Sequence, residues 1–156
     1  MSTALSIPLS SAVGEESQYV DRLLATVSES VEESFAISGT TREGIEELAD
    51  LYQQCHEPDW DGYQALPILP ETYEAAQRCV RALPWGLPVP EVSAEPDGEV
   101  TLEWYRSPRR VVSISVSPNH QLSYAALFGA SKVHGTETFH DTVPPLVIDV
   151  IRRVLN

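Results

Sequence analysis

The stretch of residues 57–66 reads E-P-D-W-D-G-Y-Q-A-L, with an indole between two carboxylates (Asp59, Trp60, Asp61) and a glycine before the phenol of Tyr63. Together with His56 just ahead of it, this stretch carries groups that a small acid–base site or a partner-binding loop could use. The same residues can instead close the loop on itself. Asp59 or Asp61 can accept backbone amides, Asp61-Gly62 can turn the chain, and Trp60 and Tyr63 can bury apolar area. The clasp is the simpler reading, and direct binding or catalysis stays open beside it.

Few other residues have spacings that specify chemistry. No G-x-x-x-x-G-K-[ST] occurs, since Gly129-Ala-Ser-Lys132 has the lysine but a single glycine before it. G-x-G-x-x-G after a strand, G-x-S-x-G, H-E-x-x-H and C-x-x-C are also missing. His56, His120, His134 and His140 do not stand at metal-ligand spacings. Cys79 falls beside an apolar helical stripe, where a thiol packs as a small hydrophobe, while Cys55 lies next to His56 near a loop. Two cysteines without framework spacing suit a reducing, cytoplasmic setting. No metal or cofactor is expected, and an enzyme reading would rest on His56, Asp59 or Asp61.

Charge is the strongest global signal, at −13 for the whole chain. Residues 1–60 hold twelve acids against Arg22 and Arg42, while residues 99–156 hold five acids against six bases. Such a field repels nucleic-acid phosphates and anionic membranes and attracts a basic protein surface. Glu29, Glu32 and Glu33 are the candidate contacts on the acidic side. Arg106, Arg109 and Arg110, around Ser107-Pro108, form the one dense positive cluster and are read as pairing with acids or as contacting a protein partner. Plain solubility explains the acidity too, and mimicry of nucleic-acid charge is a further alternative.

Periodicity supplies the elements that must position these groups. Residues 1–14 read as a flexible lead-in without the basic region of a signal peptide. No apolar run is long enough to span a bilayer. Tyr19, Val20, Leu23, Leu24, Val27, Val31 and Phe35 predict a helix over 15–36, ended by Ser38-Gly39. Thr40 with Glu43 starts a second helix through a capping-box pattern, its stripe being Ile45, Leu48, Ala49, Tyr52 and Cys55. These two make an acidic helical hairpin over 15–56. Residues 57–90 hold the loop, a helix from Pro70 with the face Tyr73, Ala76, Val80 and Leu83, and a Pro-rich crossing. From residue 91 the period becomes two. Val100, Leu102 and Trp104 share a face, as do Val112, Ile114 and Val116, with Ser113, Ser115, Ser117 and Ser123 opposite. Asp97-Gly98, Ser107-Pro108 and Pro118-Asn119 mark the turns. The last segment is an apolar helix with Leu146, Val147, Val150, Ile151 and Val154 inward.

Three strings carry a resemblance. W-D-G-Y-x-A-x-P-I-x-P-E-T-Y-E-x-A is followed by D-G-E-V-T-L-E-W-Y-R-S-P-R-R and S-I-S-V-S-P, together within residues 57–154. These resemble a family of small uncharacterised bacterial proteins. The resemblance implies no catalytic residue; it implies a gene beside a second small gene in mobile or defence-related regions, hence a partner protein.

The expected fold is therefore α+β, a single domain over 15–156. It comprises an N-terminal helical hairpin, one middle helix, a four- to five-stranded antiparallel meander over 91–156, and a C-terminal helix packed on the sheet. The expected function is non-enzymatic binding of another protein, in the manner of an antitoxin or immunity protein, with an anti-defence inhibitor or DNA mimic and a small enzyme as alternatives. Asp59, Trp60, Asp61 and Tyr63 join the acidic and basic residues above as the expected partner-binding set.

Overall fold

A five-stranded antiparallel meander in sequential order, β1-β2-β3-β4-β5, forms the centre of the computed structural model. The structure describes residues 41–156 together with Arg22, Ala25 and Gly39. The expected helix over 15–36, its acids Glu29, Glu32 and Glu33, and the Thr40 cap lie outside the described residues, Arg22 and Ala25 being helical. Gly39, expected to end that helix, is itself helical. The chain divides into two compact units, Met1–Ala36 and Ile37–Asn156, and the sheet belongs to the second.

The strands are β1 (Glu91–Ala94), β2 (Val100–Ser107), β3 (Arg110–Val116), β4 (Gln121–Phe128) and β5 (Ser131–Thr138). Their register lines up Val92, Leu102, Ile114, Tyr124 and Gly135 in one row across all five. On the other face the next row is Ser93, Thr101, Ser115, Ser123 and Thr136, a band of hydroxyls spanning the sheet. Period-two alternation puts every large apolar strand residue from Val100 to Val116 except Tyr105 and Val111 on the first face. That face cannot stay wet, because each buried valine or isoleucine is worth about 1.5–3 kcal/mol.

Helices α2 (Pro70–Ala82) and α3 (Pro145–Leu155) cover it, and α1 (41–55) packs against α2. α3 lies over β2, β3 and β4 and buries Val147, Ile148, Val150, Ile151 and Val154. Leu146, expected in this stripe, is 49% exposed. One position off the stripe, it turns to solvent, and Ile148 takes its place. α2 packs on β2 and β3 through Ala75, Ala76, Cys79 and Val80. Tyr73, expected on its inner face, instead stacks on Tyr52 of α1 at 4.5 Å. Gly44 of α1 lets the two helices close up, since a side chain there would lie 3.1 Å from Val80. Among the described residues, no helix is long and apolar enough to cross a membrane.

The edge strand β5 is held by an unusual pair. Tyr124 lies over Gly135, so a Cβ at that glycine would come within 2.6 Å of the phenol oxygen and 2.8 Å of the ring. The ring fills the space a side chain would occupy and ties β5 to the core. Gly135→Ala must push the ring aside, and overpacking of this kind costs about 1–3 kcal/mol. A thermal melt should show a clear fall in Tm, and an unchanged Tm would mean that the Tyr124 ring is free to move.

Candidate functional site

The loop around Trp60 is closed by its own side chains. Asp59 Oδ1 accepts the Gln64 amide at 2.7 Å, and Asp61 Oδ1 accepts those of Tyr63 and Ala65 at 2.7 and 3.1 Å. The Trp60 indole donates to the Leu66 carbonyl at 3.0 Å while its ring packs against the core. Asp59 and Gln64 take left-handed backbone angles, which the carboxylate–amide bonds hold in place. The loop is then joined to α1 and to the β1–β2 turn: Ile68 donates to Cys55, and Leu66 to Pro96. Both aspartates thus spend a carboxylate oxygen on the backbone. Tyr63, expected to bury area beside Trp60, is instead 88% exposed; Gly62 and the two aspartate turns aim it outward.

The opposite end of the sheet collects cations. The β2–β3 turn carries Arg106, Arg109 and Arg110, and the β4–β5 turn ends in Lys132. The last turn of α3 adds Arg152 and Arg153. Arg106 donates to the Leu155 carbonyl, which brings the β2–β3 turn and the helix end together. The Arg153 guanidinium sits 4.1 Å from the centroid of Phe128, a cation–π contact at the start of the β4–β5 turn. All six bases of residues 99–156 therefore share one end. Among the described residues none of them pairs with an acid within 4 Å, the one ion pair being Arg42–Glu46 on α1.

Between these cations opens a cleft of about 430 Å³, lined by Trp85, Leu87, Pro88, Arg106, Arg152 and Leu155. Trp85 is 72% exposed and Tyr105, on the same end of β2, 59%. The Pro-rich crossing presents Trp85 because the second indole of this region, Trp104, is anchored inside by its hydrogen bond to the Pro88 carbonyl at 2.8 Å. Proline stiffness on either side limits how far the exposed ring can fold back. Part of this charge has a local use, since Arg106, Arg152 and Arg153 stand where the α3 dipole favours cations. Arg109, Arg110 and Lys132 have no such partner. The sequence cluster at Arg106, Arg109 and Arg110 is thus half of a larger surface. Trp85, Lys132, Arg152 and Arg153 were not legible as members, because only the fold brings them to one end.

Acids collect at the other end. Glu95, Asp97 and Glu99 stand in the β1–β2 turn, Glu137 ends β5, and Asp141 follows it. Burial, then the Asp97 and Glu95 carboxylates, raise the pKa of Glu99 above its ordinary value of 4.5. Near the closed loop, Leu66, Pro67, Leu69 and Pro118 rim an apolar hollow of about 240 Å³. The thiols are poor nucleophiles: both are buried and free, and burial pushes Cys79 up to about 12 and raises Cys55. His56 turns its Nδ1 onto the carbonyls of Tyr52 and Gln53, toward its own helix end. No group of three metal-ligating side chains occurs among the described residues.

Three measurements check this description. Trp60→Ala removes a packed ring and the bond to Leu66, and should cost about 2–4 kcal/mol, read as a lower Tm. Gly98→Ala should also destabilise, because its φ of +87° disfavours a side chain and the added Cβ would lie 2.7 Å from the Pro67 carbonyl oxygen. Glu99 binds its proton more tightly folded than unfolded, so its contribution is present below pH 4.5 and is lost as pH rises through the raised pKa. Glu99→Gln should therefore melt above the parent at neutral pH, the gap closing below pH 4.5.

Comparison of the chain with protein-family models, with curated proteins and with solved structures finds no match.

Proposed function

We propose that this protein is a non-enzymatic protein-binding module, an antitoxin-like or immunity-type neutraliser of a partner protein encoded beside it, and that it docks through the basic end of its sheet. The observation that carries this reading is the gathering of six cations, none at ion-pair distance from an acid among the described residues, at the end of the sheet where Trp85 is exposed, on a chain whose net charge is −13. A charge distribution of that kind is an orienting device. The excess of acids elsewhere in the chain repels an acidic partner while the basic end attracts it, so electrostatic steering favours approach at that end.

Tryptophan and arginine are also the residues that most often dominate binding energy at the centre of an interface. Trp85, with the cleft beside it, suits an apolar side chain of the partner, and the surrounding arginines suit carboxylates on either side. Arginine forks bind carboxylates in pairs, which fixes register as well as charge. The partner surface this implies is acidic with an apolar centre. The two-gene arrangement comes from the resemblance of the W-D-G-Y and D-G-E-V-T-L-E-W-Y strings.

Co-expression with the product of the neighbouring gene tests the proposal, with the complex captured from native lysate and growth scored in parallel. The parent should hold the partner and rescue growth. Trp85→Ala, at a largely exposed ring, should leave the melting temperature unchanged and weaken capture by roughly 30-fold. Arg109→Glu with Arg110→Glu should abolish it, and capture by the parent should weaken with rising salt. Capture unaltered by all three substitutions would place the interface elsewhere, and a chain that stays alone in lysate would defeat the binding reading itself.

A further inference from the structure

Arg78, in the middle of α2, is a guanidinium without a counter-ion among the described residues. Its Nη2 donates to Nδ1 of His120 at 3.3 Å, and its Nε is buried with no hydrogen-bond partner. No carboxylate reaches ion-pair distance of it among the described residues, on a chain with more than twice as many acids as bases. Burying part of a cation without pairing it costs free energy, and an unsatisfied buried donor points to a missing water or ion.

The groups beside it are imidazoles, which can both accept and donate. A guanidinium can only donate, so His120 Nδ1 accepts and the ring keeps its proton on Nε2. His120 is held in the β3–β4 turn at φ +61°, and its carbonyl accepts the Phe139 amide at 2.7 Å. Phe139 is fully buried, so this bond fixes the start of the segment after β5. It also brings the exposed His140 alongside, the two imidazole centroids being 6.2 Å apart. Arg78 of the helix and His140 of the segment after β5 thus each stand beside His120 of the turn.

We propose that Arg78, His120 and His140 form a binding site for a small oxyanion, a phosphate or carboxylate group. An oxyanion accepts from several donors at once and supplies the negative charge that Arg78 lacks. A metal cation is the less suitable occupant, because it would face the guanidinium. Asp141 follows His140 in the chain but makes no ion pair with Arg78. The site lies at the opposite end of the sheet from Trp85, so it stands or falls independently of the docking surface.

Titration of the whole protein with inorganic phosphate, followed by the imidazole proton signals in NMR, tests the site. Sodium acetate forms a second arm, and sodium chloride at matched ionic strength the control. The signals of His120 and His140 should shift saturably with phosphate and not with chloride. Saturation by phosphate alone assigns a phosphate group, and saturation by acetate as well assigns the wider oxyanion class. His140→Ala, at an exposed ring, should keep the fold and weaken phosphate binding by roughly tenfold. Arg78→Gln should abolish it, with His120→Asn as a companion because asparagine tolerates the left-handed backbone. Shifts that only track ionic strength would overturn the proposal, as would saturable binding that survives both His140→Ala and Arg78→Gln.

Discussion

Almost everything in this structure follows from a sheet with one apolar face. The row Val92, Leu102, Ile114, Tyr124 and Gly135 crosses all five strands on one side, and the hydroxyl row of Ser93, Thr101, Ser115, Ser123 and Thr136 crosses them on the other. A slip of one residue in any strand would exchange the two faces, so burial itself sets the register. The covering helices then have little freedom. α3 is apolar enough to lie over the three middle strands. α2 fills the space over β2 and β3, and α1 closes against α2 where Gly44 permits it.

A meander with helices on its apolar face brings side chains of different elements together at its turns. The β2–β3 and β4–β5 turns fall at one end, the β1–β2 and β3–β4 turns at the other. The bases of the last third sit beside the first pair of turns, and most of its acids beside the second. A tally by sequence window sums these to nearly zero and hides the separation. Arg152 and Arg153 illustrate the loss: in the sequence they are cations suited to a helix dipole, and only the Arg106–Leu155 bond reveals that they extend the β2–β3 turn cluster.

Local patterns were legible wherever a single element decides the outcome. The strand periodicity, the Asp97-Gly98 turn, the start of α2 at Pro70 and the amide-binding role of Asp59 and Asp61 all follow from neighbours within a few residues. What escaped depends on contacts distant in the chain. Tyr63 and Trp60 look equivalent in E-P-D-W-D-G-Y, yet the turn closed by the two aspartates sends one ring inward and the other into solvent. Arg78 and His120 are 42 residues apart, a separation at which no motif could have joined them.

The two candidate sites also owe their independence to the sheet. A strand of eight residues extends over roughly 25 Å at about 3.3 Å per residue. That is about three Debye lengths at physiological ionic strength. Charge placed at one end is therefore screened before it reaches the other, and substitutions at the two ends are too far apart to couple through shared contacts. Among the described residues the core between them buries no carboxylate, imidazole or cationic side chain, its buried polar residues being Thr72, Thr101 and Ser117. An anion held at Arg78 would offset that guanidinium without weakening the attraction for a partner at Trp85. The scaffold can thus present two surfaces, each tuned by the turns at its own end.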